Sequence, residues 1–512
     1  MQNRILWISI VLSALGILIV LAIALQPDQQ TAGIERVQTT KVDQEDEGPF
    51  ERQAENSLIE FVQTPWTGDL DGMLERRLIR ILTVPTETSY FLEKGKSRGI
   101  TAEFFSAFET FINKRFPQEA RHLKVKVVVV PVSSGDLLPA LLDGRGDIAT
   151  ARLTITEGRK DRVDFSNPIV RDIDEIVVTG PASSNLTTLD DLAGKEILAR
   201  QSSSYWEHLQ VLNKRFESEG KKPIKLREAP EELSDSDLMQ MVNAGLVEII
   251  IVDNYKAELW AKILPEIRVH PDIAINRDGQ IGVIMRQGSP LLKETLNTFI
   301  EGHKGGTTFG NTVIKRYLGS TRFIKRATSP TELGKFNEVI GLFHEYGKQY
   351  NLDPLLLMAQ GYQESGLDNQ ARSPSGAIGI MQLLPSTARE MKIDNVHELE
   401  ANIHAGVKYV RFIIDSYFDN VSIDDFNKTL LAFAAYNAGP NRISRLRDTT
   451  QKRNLDPNVW FGNVELVVSE KVGAEPVNYV SNIFKYYVGF SLMEQHRETR
   501  RQVKEDFENT RR

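Results

Sequence analysis

The stretch Gly361-Tyr362-Gln363-Glu364-Ser365-Gly366, followed within twenty residues by Gly379-Ile380-Met381-Gln382, sets a carboxyl at the end of an apolar helix beside a glycine-rich turn. The residues ahead of it predict that helix. Asp353 is suited to cap, Pro354 fits the first helical position, and Leu355, Met358, Ala359 and Tyr362 recur at i, i+3, i+4 and i+7. Gly366 is placed to end it. Glu364 then falls in the last turn, where unpaired backbone carbonyls carry partial negative charge and disfavour an ionised side chain. Burial beside Tyr362 and Met358 is expected to raise its pKa further. A carboxyl protonated near neutral pH is what a general acid requires, and such a group contributes about 10²- to 10⁴-fold in rate. Taken alone, the position also fits a solvated glutamate at a helix end.

The company of Glu364 weighs against that plainer reading. Ala435-Tyr436-Asn437-Ala438-Gly439 lies at the end of a second apolar helix that begins near Phe426, and Glu475-Pro476-Val477-Asn478-Tyr479-Val480 opens a third. These blocks, in this order, resemble the family 1 lytic transglycosylases, which share a goose-lysozyme-like helical fold. The resemblance covers roughly residues 335–490. It implies one glutamate in two roles: Glu364 protonates the bond between N-acetylmuramic acid and N-acetylglucosamine, then takes a proton from the sugar's own C6 hydroxyl, leaving a 1,6-anhydro end. Other glycosidases normally use two carboxyls, whereas here the substrate supplies the nucleophile and the gain comes from proximity. The resemblance further implies that Ser365 hydrogen-bonds near the catalytic glutamate and that Met381 and Gln382 line the cleft. It implies that Tyr436 and Asn437 reach the glutamate and the sugar, with Tyr479 on the opposite wall. Core packing is the alternative for Met381, Tyr436 and Tyr479, and Glu475 reads equally as an acid at a helix N-terminus.

The chain of 512 residues is long enough for two or three domains, and its hydrophobic content of 41% is ordinary for globular protein. A net charge of −7 implies no polyanion-binding surface and no nucleic acid partner, although a local basic cleft remains compatible with it. The absence of cysteine excludes disulfides, cysteine metal sites and a lipid-modified N-terminal cysteine. The eight histidines show no metal-ligand spacing, so neither cofactor nor metal is expected. Arg4 precedes an unbroken apolar run over residues 5–25, long enough to cross a bilayer at about 1.5 Å per residue. Residues 1–28 are therefore an export signal or a membrane anchor, with Ala22-Ile23-Ala24 offering a small-residue cleavage pattern. The positive-inside rule places Arg4 in the cytoplasm and the chain beyond Gln26 outside it. Residues 29–69, rich in Gln, Asp, Glu and Thr, read as a flexible linker, and residues 494–512 as a charged, solvated C-terminal tail.

Residues 70–322 have another rhythm. Short β-branched runs at 79–84, 125–130, 173–178 and 247–252 alternate with amphipathic stretches such as 102–116, the signal of an α/β domain with mostly parallel strands. Gly144-Arg145-Gly146-Asp147-Ile148, then Leu153-Thr154-Ile155-Thr156-Glu157-Gly158-Arg159, then Val163-Asp164-Phe165-Ser166-Asn167-Pro168 resemble the family 3 solute-binding proteins, two-lobed clamshells for amino acids and similar small polar molecules. By that resemblance Arg159 forks onto a ligand carboxylate, an arrangement guanidinium geometry favours. Thr154 and Ser204 would help hold the same carboxylate, Asp253 would take the ligand's ammonium, and an aromatic clamp is expected at Tyr90 or Phe91. Arg152 departs from the small residue found in many amino-acid binders, so the pocket is either reshaped or open to an extra acidic group on the ligand, and a degenerate clamshell with no ligand is the plainer alternative.

The fold class expected is thus multi-domain: a two-lobed α/β domain like the periplasmic binding proteins over 70–322, then a mostly α, lysozyme-like catalytic domain over 323–493. The resemblances imply peptidoglycan glycan strands as substrate and an amino acid or muropeptide as regulatory ligand. They also imply a place on the periplasmic side of a bacterial envelope, either peripheral on the outer membrane or anchored to the inner one. A hydrolase that admits water and a non-catalytic envelope sensor are the rival readings.

Overall fold

The computed structural model describes residues 62–511 apart from 94, 119–121, 184, 328–329 and 420–421, with backbone alone at 325–327, 330–336 and 511. The apolar run at 5–25 and most of the expected linker lie outside these residues. Among the described residues a nine-stranded sheet runs through the α/β region, with Asp164–Phe165 paired to Arg268–Met285 off its main path and the hairpin Phe91–Glu93/Lys96–Arg98 forming a separate two-stranded sheet. Along the main path the strands lie in the order Lys126–Pro131, Leu78–Thr83, Ile148–Thr154, Arg268–Met285, Val170–Thr179, Ile249–Asp253, Glu196–Ala199, Lys225–Glu228. The first three are mutually parallel, as are the last three, while the long strand Arg268–Met285 is antiparallel to both of its neighbours and joins the two halves. Each half with its helices is a lobe. Leu78–Thr83 is buried along its whole length, as expected for a parallel strand covered on both faces.

One charge sits in that buried strand. Arg80 is 1% exposed, and its guanidinium donates to Asp147 and to the carbonyls of Val62, Thr64, Trp66 and Gly144. Asp147, equally buried, also receives Arg76. These bonds clamp residues 62–66 onto the first lobe, and Val62 is fully buried in its core. The expected flexible linker is therefore packed structure over its last residues, because Arg80 needs their carbonyls to be satisfied.

The C-terminal region is helical, built on Pro330–Tyr350, Pro354–Ser365, Leu399–Ile413, Asp425–Ala438, Pro440–Gln451 and Glu465–Lys471, with Ala474–Arg511 as its last and longest element. It shares a continuous apolar core with the first lobe, in which Leu82, Val128 and Val130 belong to the same cluster as Met358, Phe433 and Val480. Polar contacts reinforce the seam. Glu465 accepts both terminal nitrogens of Arg77, at 2.6 and 3.2 Å, and Lys485 pairs with Glu109 at 2.9 Å.

The expected solvated tail is instead the continuation of Ala474–Arg511 across the α/β region. Arg500 donates to Asp237 at 2.7 and 2.9 Å and to Ser234 at 3.1 Å in the second lobe, and to Glu87 at 3.3 Å in the first. Val503 and Phe507 pack on the second lobe's core. The charge density of residues 494–512 thus reflects ion pairing to another domain as well as solvation.

Replacing Asp147 with Ala would leave Arg80 charged, buried and without a counter-ion, which is expected to destabilise the first lobe by about 3–5 kcal/mol. Denaturant unfolding followed by tryptophan fluorescence, with Trp66 beside the cluster, checks it.

Candidate active site

Glu364 is positioned by a helix with defined ends. Asp353 Oδ1 accepts from the backbone N–H groups of Leu355 and Leu356, at 2.8 and 3.0 Å, and Pro354 occupies the first turn. Gly366 closes the other end in the left-handed region at φ 69°, its N–H donating to the Tyr362 carbonyl. The adjoining turn holds Gly379 at φ 78°. A Cβ there would lie 2.2 Å from the amide nitrogen of Asn402, so only glycine fits. Asn402, fully buried, organises the turn: its Oδ1 accepts from Met381 N–H at 2.9 Å, and its Nδ2 donates to the carbonyls of Ile378 and Val396, both at 3.0 Å. The Ser365 hydroxyl donates to the Ile380 carbonyl at 2.9 Å, and Tyr436 donates to the Met381 carbonyl at 2.7 Å. The helix end and the turn are thereby tied together.

Tyr479, in the first turns of Ala474–Arg511, donates its hydroxyl to Glu364 Oε1 at 2.5 Å and accepts from Gln360 Nε2 at 3.2 Å. Burial raises the Glu364 pKa to about 7, with the Tyr479 donation opposing the rise. Among the described residues no second carboxylate perturbs it. Burial, and after it the nearby Glu364 carboxyl, also hold the Tyr436 and Tyr479 hydroxyls protonated well above their usual range. At neutral pH the site is therefore a carboxyl poised between its two protonation states, in contact with the neutral donor Tyr479.

Several expectations change in detail. Tyr362 packs edge-on against Tyr486 with ring centroids 4.5 Å apart, and against the hairpin glycine Gly95 of the first lobe. The Met381 side chain is fully buried against Gly406 instead of lining the cleft, so its part in the site is its backbone carbonyl. Gln382, at φ 45°, turns its amide back to the Gly379 carbonyl at 2.9 Å. Asn437 is half-buried at the end of Asp425–Ala438, and Glu475 sits in the first turn of its helix. Gln360 and Asn402 were not foreseen. Gln360 precedes Glu364 by one helical turn, a spacing that places both on one face, whereas nothing local marks Asn402.

In the α/β region Thr154, Arg159, Ser204 and Asp253 line one cavity of about 120 Å³ between the lobes. Arg159 donates to the carbonyls of Thr154 at 2.8 Å and Ser202 at 2.7 Å. The Ser204 hydroxyl is committed to Glu175, at 2.6 Å, and is not available to a ligand carboxylate as placed. Asp253 already pairs with Lys256 at 2.8 Å, and Lys256 with Asp235 at 2.6 Å. Tyr90 and Phe91 do not form a clamp. Both are buried, Tyr90 against Ser97 and Phe91 against Tyr317 and Phe323, while Tyr205 and Trp260 are the aromatic residues on the cavity wall.

The chain matches two family descriptions, bacterial extracellular solute-binding proteins of family 3 over residues 80–319 and the transglycosylase SLT domain over residues 341–458. It is 28% identical over 452 residues to a membrane-bound lytic murein transglycosylase F of Pseudomonas fluorescens strain Pf-5, covering 83% of this chain and 87% of that one. To the protein of the same name from Pseudomonas putida strain F1 it is 27% identical with the same coverage. Among solved structures, a mutant of the Thermotoga maritima protein ArgBP is 20% identical, with a TM-score of 0.39, over 49% of this chain and 99% of that one. An ancestral arginine-binding protein bound to arginine is 22% identical, with a TM-score of 0.38, over 47% of this chain and 97% of that one. The chain thus resembles, over most of its length, the membrane-bound lytic murein transglycosylase F proteins, with one stretch that matches the family 3 solute-binding proteins followed by one that matches the transglycosylase SLT domain.

Proposed function

We propose that this lytic murein transglycosylase cleaves the β-1,4 bond between N-acetylmuramic acid and N-acetylglucosamine in peptidoglycan and leaves 1,6-anhydro-N-acetylmuramic acid ends. Glu364 gives its proton to the glycosidic oxygen, and the C–O bond to the muramoyl C1 breaks. The C6 hydroxyl of the same sugar then bonds to C1 and returns its proton to Glu364, so no water is consumed. The observation that carries this reading is a half-buried carboxyl with a pKa of about 7 on which, among the described residues, no partner carboxylate acts. A hydrolase would need a second carboxyl roughly 5–9.5 Å away to act on water or on C1. A carboxyl at the midpoint of its titration serves equally as acid and as base. Tyr479 supplies a neutral donor that can follow the charge as it appears on Glu364.

Envelope association goes with this activity, and we place the protein on the periplasmic side, peripheral on the outer membrane or held to the inner one by residues 1–28. Among the described residues no helix is long and apolar enough to cross a membrane. We further propose that an amino acid or muropeptide in the solute cavity regulates turnover, with the helix Ala474–Arg511 as the route. One end carries Tyr479, and Arg500 further along joins Glu87 of one lobe to Asp237 of the other.

Digests of purified sacculi are expected to give muropeptides lighter by one water than hydrolytic products; reducing ends alone would refute the transglycosylase mechanism. Glu364→Gln is expected to lose about 10²- to 10⁴-fold in rate; a variant that keeps full activity points to a different acid. The folded pKa of Glu364 lies above its unfolded value of 4.5, so folding is disfavoured by this group as pH rises from about 4.5 through 7. The native chain should therefore lose stability relative to Glu364→Gln between pH 5 and pH 8, by at most about 3 kcal/mol. Activity dependent on the protonated acid should fall about tenfold per pH unit above 7. Arg500→Met is expected to remove the difference in turnover between solute-free and solute-saturated enzyme, and an undiminished difference excludes this route.

A further inference from the structure

The solute cavity has an unequal charge inventory. Its three carboxylates are all paired within the protein: Glu87 with Arg500 at 3.3 Å, Asp235 with Arg200 and with Lys256, and Asp253 with Lys256 at 2.8 Å. Arg200 and Lys256 are thereby accounted for, and two cations on the cavity wall are left over. Arg159 is fixed by two neutral carbonyls, which orient the guanidinium without neutralising it, and its nearest carboxylate is the partly exposed Glu207 at 3.8 Å. Arg152 has no carboxylate partner among the described residues. Its Nε donates to the Tyr255 hydroxyl at 2.7 Å, and its guanidinium lies 4.1 Å over that ring. The backbone of Arg152 is held at φ 56°, a conformation that L residues avoid and that recurs at ligand clamps. One further atom is unsatisfied: Asp253 Oδ1 is buried on the cavity wall without a hydrogen-bond donor.

We infer that the cavity takes a small dicarboxylic amino acid, with Arg159 on its α-carboxylate, Arg152 on its second carboxylate and Asp253 Oδ1 accepting from its ammonium. This rests on the reading of the N-terminal domain as a solute-binding clamshell and adds the charge of the solute. Arg152, with no carboxylate partner among the described residues, and Arg159, whose nearest carboxylate stands off at 3.8 Å, favour a dianionic partner over a neutral or cationic side chain, because charge-assisted bonds to carboxylate are the strongest such donors make. Lys256 already offsets the negative charge of Asp253, so the site gains little from ligands that bring additional positive charge.

Isothermal titration of the purified full-length protein with L-glutamate, D-glutamate, L-glutamine, L-alanine and L-arginine tests it. At least one glutamate enantiomer is expected to bind about tenfold or more tightly than glutamine, and arginine more weakly still. Arg152→Met should erase the preference for glutamate over glutamine while glutamine affinity stays within about threefold, and an unchanged melting curve shows that the lobe still folds. Glutamine, alanine or arginine binding as tightly as glutamate overturns the dicarboxylate assignment and leaves the clamshell reading standing. Binding of none of the five overturns both. A preference for glutamate that survives in Arg152→Met removes Arg152 from the role given to it.

Discussion

The helix Ala474–Arg511 carries at one end the hydroxyl that holds the Glu364 carboxyl and, about 21 residues on, the guanidinium that grips both lobes of the solute domain. At about 1.5 Å per residue those two groups lie roughly 30 Å apart along one hydrogen-bonded rod. The rod is seated at both ends. Val480, Phe484 and Val488 belong to the core shared with the first lobe, while Val503 and Phe507 pack on the second. A rigid element with defined contacts at each end transmits displacement in a way that a flexible linker does not.

The two lobes stand differently toward the catalytic domain. The first is joined to it by a continuous apolar core, by Arg77 with Glu465 and by Lys485 with Glu109, and its hairpin glycine Gly95 abuts Tyr362 and Leu367 on either side of Glu364. An interface of that kind behaves as one packed body. The second lobe meets the C-terminal helix through Arg500, Lys504 and the two apolar residues between and beyond them. In the regulation proposed above, closure of the two lobes would therefore move the second lobe against a first lobe and helical domain that stay together. Ser236 donating to Glu87 at 2.9 Å, beside Arg500, puts the cross-lobe contact and the helix contact in one cluster.

Much of this was legible in the sequence because the relevant code is local. Asp353, Pro354 and Gly366 fix both ends of one helix by capping and by backbone preference, and the apolar period between them fixes its face, so Glu364 could be placed at a helix end from its neighbours alone. The β-branched runs at 79–84 and 125–130 became buried parallel strands for the same reason. What escaped was set by distant chain segments. Asn402 serves a turn more than twenty residues earlier, and its own helix gives no sign of it. The tail was read as solvated because a dense charge pattern says nothing of a partner such as Asp237, some 260 residues away. Arg80 sits in a strand that otherwise reads as core, and its partners come from segments on both sides of it.

The acid itself is a balance between two opposed effects. Burial pushes Glu364 toward the protonated form, and the Tyr479 hydroxyl, by stabilising the carboxylate, pushes it back. A glutamate that must give a proton and then recover one gains most when neither form is strongly preferred, and a pKa of about 7 meets that condition at neutral pH. The restoring half of the balance is supplied from the C-terminal helix, not from the helix that bears Glu364. In the regulation proposed above, a shift of that helix would lengthen or shorten the Tyr479 bond and so change the readiness of the carboxyl to part with its proton, with no need for the cleft to open or close.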